Sequence, residues 1–177
     1  MIARIEYAKA LFMLAEENGS CDATLLDLRA AVTAVSENEG YLDLLDTPAL
    51  PKEEKLALAD KAFSSLSEYV LNLIKILSEK RMSHLLPEIL KEFEALYDEK
   101  FGILRVEAIS ARPMSDYQLS LLKEKLEKEK QKTVIITNSV NPEILGGLKL
   151  RFSGVQLDGS IKTRLDKIEA SLKNVIV

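Results

Sequence analysis

ILRVEAIS, residues 103–110, alternates apolar and polar side chains with period two, as a half-buried strand does. Nothing before it reads that way, and the residues after it mix strand and helix. Residues 115–130 return to helical spacing, with Leu119, Leu122 and Leu126 on one stripe. TVIIT (133–137) is β-branched and reads as a second strand. Asn141-Pro142 marks a turn. LKLRF (148–152) alternates again, and Ser153-Gly154 offers a turn into Val155–Leu157. Asp158-Gly159-Ser160 supplies a tight turn and an N-cap. A last helix is expected from Ile161, Leu165, Ile168, Leu172 and Val175, at spacings of 4, 3, 4 and 3.

Upstream, the pattern is helical throughout. Residues 2–17 form the first helix, and Asp22 is the expected N-cap of the second, which carries Leu25, Leu28, Val32 and Val35. A short third helix near 38–46 ends at Thr47-Pro48. Pro51 suits the first turn of a fourth, where its missing donor is not needed. A fifth spans about 66–80; a sixth holds Leu86, Ile89, Phe93 and Leu96, with Gly102 past its end. The sequence therefore predicts an α+β chain: a helical bundle over 1–103 and a small α/β domain over 104–177.

Composition narrows the function. The 177 residues are 47% hydrophobic and 29% charged, which supports a packed core. One cysteine, Cys21, cannot form an internal disulfide. One histidine, His84, leaves little for a His/Cys metal cluster. No apolar run approaches the ~18 residues of a membrane span. Acidic Glu6 interrupts the N-terminal apolar run, so it reads as neither signal nor transit peptide. Residues 1–104 carry 11 basic and 19 acidic side chains; residues 105–177 carry 13 and 9. The basic excess alternates with glutamate (KEKLEKEKQK, 123–132), as a solvated helix face does, and argues against nucleic-acid binding.

Catalytic motifs do not emerge. There is no GxxxxGK[ST] string, and Gly146-Gly147 reads as a bend before a strand. Ser160 reads as a helix cap rather than a nucleophile, and His84 falls in the other domain. A small hydrolase using Ser160 is the distant alternative.

The first helix carries two apolar stripes. Ile5, Ala8, Phe12 and Ala15 form one; Ala3, Tyr7, Ala10 and Leu14 form the other, across Leu11. The fifth is apolar over more than half its circumference, with Tyr69, Val70, Leu71, Leu73, Ile74, Ile76 and Leu77. Two apolar faces mean either a central helix or one face left for a partner.

The chain resembles the delta subunit of the rotary F-type ATP synthase, whose mitochondrial counterpart is the oligomycin-sensitivity-conferring protein. The resemblance covers essentially the whole chain. It rests on YAKALF (7–12), on NLI (72–74), on Leu86-Pro87 and the helix after it, and on ISARPMS (109–115). Its most specific part is NPEILGGLKLRF followed by LDGSIKTRL (157–165). Ser153-Gly154 and Gln156 depart from the family's usual Gly-Asp and apolar residue.

The resemblance implies a six-helix N-terminal bundle, a C-terminal α/β domain, no catalytic activity and no cofactor. It implies a single-copy stator subunit of a proton-translocating enzyme of ATP synthesis and hydrogen ion transport. The N-terminal domain would bind the N-terminal helix of the alpha subunits, and the C-terminal domain the b subunits of the peripheral stalk. Helices one and five would form the alpha-docking surface, with Tyr7, Ala10, Leu11 and Leu14, and with Leu73, Ile74 and Leu77 as companions. Gly146, Gly147, Asp158, Gly159 and Ser160 carry over as structural motif residues. The implied location is the cytoplasmic face of a bacterial inner membrane, without a span of its own. A stand-alone helical adaptor for an unrelated amphipathic helix is the alternative.

Overall fold

The computed structural model describes residues 2–38, 40–152, 154–161 and 163. The expected stripe Leu165, Ile168, Leu172 and Val175 lies outside the described residues. The chain mixes helix and sheet and divides into two compact units, Met1–Glu99 and Lys100–Val177.

The first unit holds α1 (Ile2–Glu17), α2 (Cys21–Ser36), α3 (Tyr41–Asp46), α4 (Lys52–Ala62), α5 (Glu68–Glu79) and most of α6 (Leu86–Lys100). A 3-10 turn, Ser83–Leu85, leads into α6. The first helix contains neither glycine nor proline and is rich in alanine, so its backbone meets no propensity barrier. It stops at Gly19, whose left-handed φ of 61° lets two terminal carbonyls be closed. Gly19 N–H donates to Glu16 O and Ser20 N–H to Ala15 O.

The inward stripe of α1 is Ala8, Leu11, Phe12 and Ala15. These side chains join Leu28, Val70, Leu77, Ile89 and Phe93 in one core. Phe12 meets Phe93 edge to face, with ring centroids 5.4 Å apart. Burying a side chain of this size contributes about 1.5–3 kcal/mol. The flanks are tied by ion pairs: Arg4 to Glu88 at 2.6 Å, and Arg29 to Glu94 at 2.6 Å.

Two sequence expectations shift. The second helix begins at Cys21, with Ser20 in the N-cap position and Asp22 inside the first turn. There Asp22 accepts a hydrogen bond from the Tyr97 hydroxyl. Pro51 occupies the N-cap position of α4 rather than its first turn.

The second unit is built on β1 (Ile103–Ser110), α7 (Asp116–Lys130), β2 (Thr133–Val140), β3 (Leu148–Phe152) and β4 (Val155–Asp158). The strand order is β2-β1-β3-β4. The first two strands run parallel, joined through α7, as a parallel pair requires a crossover. The remaining pairs are antiparallel. Along β1, Leu104, Val106, Ala108 and Ser110 are buried and the alternate residues half-buried. Leu126 of α7 packs on Leu104, Val106 and Val134. Ser115 and Gln118 form a reciprocal capping box at the start of α7. The 133–137 strand of the sequence reading extends to Val140 because Ser139 and Val140 continue the register opposite Ile109 and Ser110.

Candidate functional site

On α1, the second stripe faces outward. Ala3 and Tyr7 are half-buried, Ala10 is exposed, and Leu14 keeps 44% of its surface. Leu11 beside them is only 4% exposed. The Lys80 ammonium lies 5.6 Å from the Tyr7 ring centroid, a cation–π distance, and the Tyr7 hydroxyl raises its pKa. Lys80 follows α5, so the outer sides of α1 and α5 adjoin.

The expected companions on α5 point inward. Leu73, Ile74 and Leu77 are 6%, 2% and 1% exposed and belong to the core. The outward apolar residue of α5 is Ile76, 43% exposed, on the side of Asn72 and half-buried Tyr69. The sequence reading placed Ile76 among the apolar residues but did not single it out. Its signal was weak: at 100° per residue it shares a stripe with Tyr69, Asn72 and Lys80, two of which are polar. Tyr7, Ala10 and Leu14 thus lie on the outer side of α1, and Ile76 on the outer side of α5. Leu11, Leu73, Ile74 and Leu77 belong to the core beneath.

The Gly-Gly and Asp-Gly-Ser segments come together in the second unit. Gly159 N–H donates to Leu148 O, and Ile161 N–H to Gly146 O, both at 3.0 Å. Gly147 has φ 81°, and a Cβ there would lie 2.6 Å from Gly159 O. Asp158 is the hub of the turn. Its carboxylate accepts from Ser160 N–H at 2.9 Å and the Thr163 hydroxyl at 2.8 Å, and pairs with Lys149 at 2.9 Å. The Ser160 hydroxyl accepts from Thr163 N–H, so Ser160 caps as expected. Ser160 is fully buried and its hydroxyl donates to Thr163 Oγ1, an arrangement that holds a turn rather than presents a nucleophile.

Ser160 and Lys149, with Thr163, hold the Asp158 carboxyl well below the usual carboxylate range. A depressed carboxylate adds stability that is present above its unfolded pKa, about 3.9, and is lost as pH falls toward the folded value. The second unit should therefore lose stability below about pH 4, and Asp158→Asn should flatten that loss. Amide exchange in β3 between pH 5 and pH 2.5 measures it; parallel pH profiles for the two proteins would refute the assignment.

Asn138 was not singled out from the sequence. Its amide donates to Ala108 O and Ser110 Oγ, and its carbonyl accepts from Met114 N–H, which fixes the exit of β1. His84 pairs with Asp46 at 2.8 Å within the first unit. Burial pushes the Asp46 carboxyl up, but hydrogen bonds from His84 and Ser83 outweigh it and leave a net lowering. Among the described residues, no cluster of three or more His, Cys, Asp or Glu side chains is placed to hold a metal, and no helix is long and apolar enough to cross a membrane.

Comparisons with known proteins cover nearly the same span. Residues 3–172 match the family model described as the ATP synthase delta (OSCP) subunit. The chain is 37% identical to ATP synthase subunit delta of Caldanaerobacter subterraneus subsp. tengcongensis, over 96% of this chain and 93% of that one. It is 36% identical to ATP synthase subunit delta of Clostridioides difficile, over 96% and 95%. Its fold matches a chain in the cryo-EM structure of the Toxoplasma gondii mitochondrial ATP synthase hexamer, with TM-score 0.72, 22% identity and 96% of both chains covered.

Proposed function

The chain belongs to the ATP synthase delta (OSCP) subunit family, and from that premise we propose how its two units act in the stator. It is a structural subunit of the complex, not a catalytic one, and a peripheral component. The first unit, with its six α-helices read as one bundle, docks the catalytic head. It does so by receiving the N-terminal helix of an alpha subunit on the outer strip of α1 and α5. Tyr7, Ala10 and Leu14 make the direct contacts, with Ile76 across from them. Leu11 and Leu73 form the floor, and Ile74 and Leu77 hold α5 in place from beneath. The second unit meets the b subunits of the peripheral stalk. One copy serves each complex, at the cytoplasmic face of a bacterial inner membrane.

The observation that carries this reading is the exposed apolar strip itself. Leu14 on α1 and Ile76 on α5 keep more than two-fifths of their surface on adjoining helices, and small Ala10 is exposed on α1. An amphipathic helix laid there buries its own apolar face and theirs. The physical requirement is slow release: a rotary motor needs a stationary part, and affinity within one kind of interface is set mostly by off-rate. Anchoring both units to one assembly raises the effective concentration of each contact.

A calorimetric titration with a peptide of the alpha subunit's N-terminal helix from the same organism tests this. Submicromolar one-to-one binding is expected, with resonance shifts at Tyr7, Ala10, Leu14 and Ile76. No binding by a folded sample would overturn the docking site.

A further inference from the structure

Among the described residues, the strand β2 ends the sheet and borders only β1. Thr133 N–H donates to Gly102 O and Asn141 N–H to Ser110 O, at the two ends of that pair. Backbone groups alternate sides along a strand. Odd-numbered residues from 133 to 141 therefore turn theirs toward β1, and Val134, Ile136, Asn138 and Val140 turn theirs outward. Val134 N–H is taken by Glu127 Oε1 of α7 at 3.0 Å. Among the described residues, nothing accepts from the N–H of Ile136, Asn138 or Val140.

Proteins usually blunt such an edge with lysine, proline or a bulge. TVIITNSV (133–140) has no charge and no proline, and its register with β1 runs unbroken over eight pairs. A groove of about 320 Å³ runs beside it, lined by Leu119, Ser120, Lys123, Val134, Ile135 and Ile136. Its cation, Lys123, sits 3.8 Å from Glu127, whose carboxylate already holds Val134 N–H.

We propose that β2 receives an added strand from its stalk partner: an extended segment with an apolar side chain seated between Leu119 and Ile136, and a carboxylate facing Lys123. The proposal rests on the reading that the second unit meets the b subunits, and it assigns part of that contact to backbone pairing. Charge selects this occupant over a second copy of the chain. A second β2 carries no carboxylate, and its flanking Lys123 and Lys132 would face a unit whose residues 105–177 already hold 13 basic against 9 acidic side chains. Strand addition also answers the open backbone groups, which a docked helix cannot pair.

Amide exchange on the full chain, free and bound to the soluble part of the b subunit from the same organism, tests it. In the complex, the amides of Ile136, Asn138 and Val140 should exchange at least about tenfold more slowly. Those of Ile135, Thr137 and Ser139, already bonded to β1, should hardly change. Lys123→Glu should weaken binding at least about tenfold. A complex that forms with the even-numbered amides unchanged would overturn the added strand and leave the stalk reading intact. No complex with a folded chain would overturn both. Slow exchange of the even amides in the free chain would overturn the proposal as well. Loss of that protection on dilution would then identify a second copy on the edge, and persistence a segment of the same chain.

Discussion

Gly147→Ala is expected to destabilise the sheet unit by about 3 kcal/mol, from left-handed strain of about 1–2 kcal/mol plus crowding of the turn. The backbone there has φ 81°, which an L side chain adopts at a cost. The added Cβ would also stand 2.6 Å from Gly159 O and 3.0 Å from Ser160 Cα. Both obstacles are backbone, so no rotamer change relieves them. Gly159 is itself held by its bond to Leu148 O, and Asp158 beside it by Ser160, Thr163 and Lys149. The turn can yield only by breaking one of these. Gly154→Ala is the control: its φ is 75°, but open space surrounds it, so only the left-handed strain of about 1 kcal/mol applies. Amide exchange of Leu148–Phe152 measures both. At 147 opening should become about 100-fold more frequent, since each 1.4 kcal/mol is tenfold. Equal losses at 147 and 154 would show that the close approach to Gly159 does not matter.

That close approach explains what could and could not be read in advance. The Gly-Gly and Asp-Gly-Ser strings were visible, and a cap at Ser160 followed from residue type alone. Their mutual contact was not visible, because it is set by the pairing of β3 with β4, which brings together Gly147 and Gly159 from positions twelve residues apart in the chain. Local signals fared well where one physical effect dominated. The alternation of ILRVEAIS gave β1 its buried face because a half-buried strand leaves no other choice. They fared worse where effects competed. Ser20 and Asp22 both suit an N-cap, and propensity did not tell that the helix starts between them. A carboxylate inside the first turn is favoured by the helix dipole, so Asp22 loses little there. The fifth helix shows the limit of periodicity. It reports which residues share a face, not which face turns inward, once apolar residues exceed half the circumference. Leu73, Ile74 and Leu77, which the family resemblance implied as docking companions, are buried, and Ile76 is the large apolar side chain that α5 exposes.

Ala10→Asp should lower affinity for the alpha-subunit helix at least about 100-fold while leaving the fold intact. Ala10 is exposed in the free protein, so a carboxylate there stays hydrated and costs only the helix-propensity difference, about 0.5–0.7 kcal/mol. Docking changes its surroundings. A partner helix seated between Tyr7, Leu14 and Ile76 would bury roughly 400–600 Å² of apolar surface, a gross gain near 10–15 kcal/mol before association costs. Ala10 lies between the larger side chains, where its small size lets the partner backbone come close. An aspartate there meets the partner twice, as added volume and as a charge taken out of water without a counter-ion, which costs several kcal/mol. Ala30→Asp is the matched control, an exposed alanine on α2 with the same propensity cost. It should leave affinity unchanged. Calorimetric titration of both variants, with circular dichroism to confirm the fold, separates the cases. Equal affinity for both would move the docking surface off α1, and equal loss for both would assign the effect to net charge rather than to the strip.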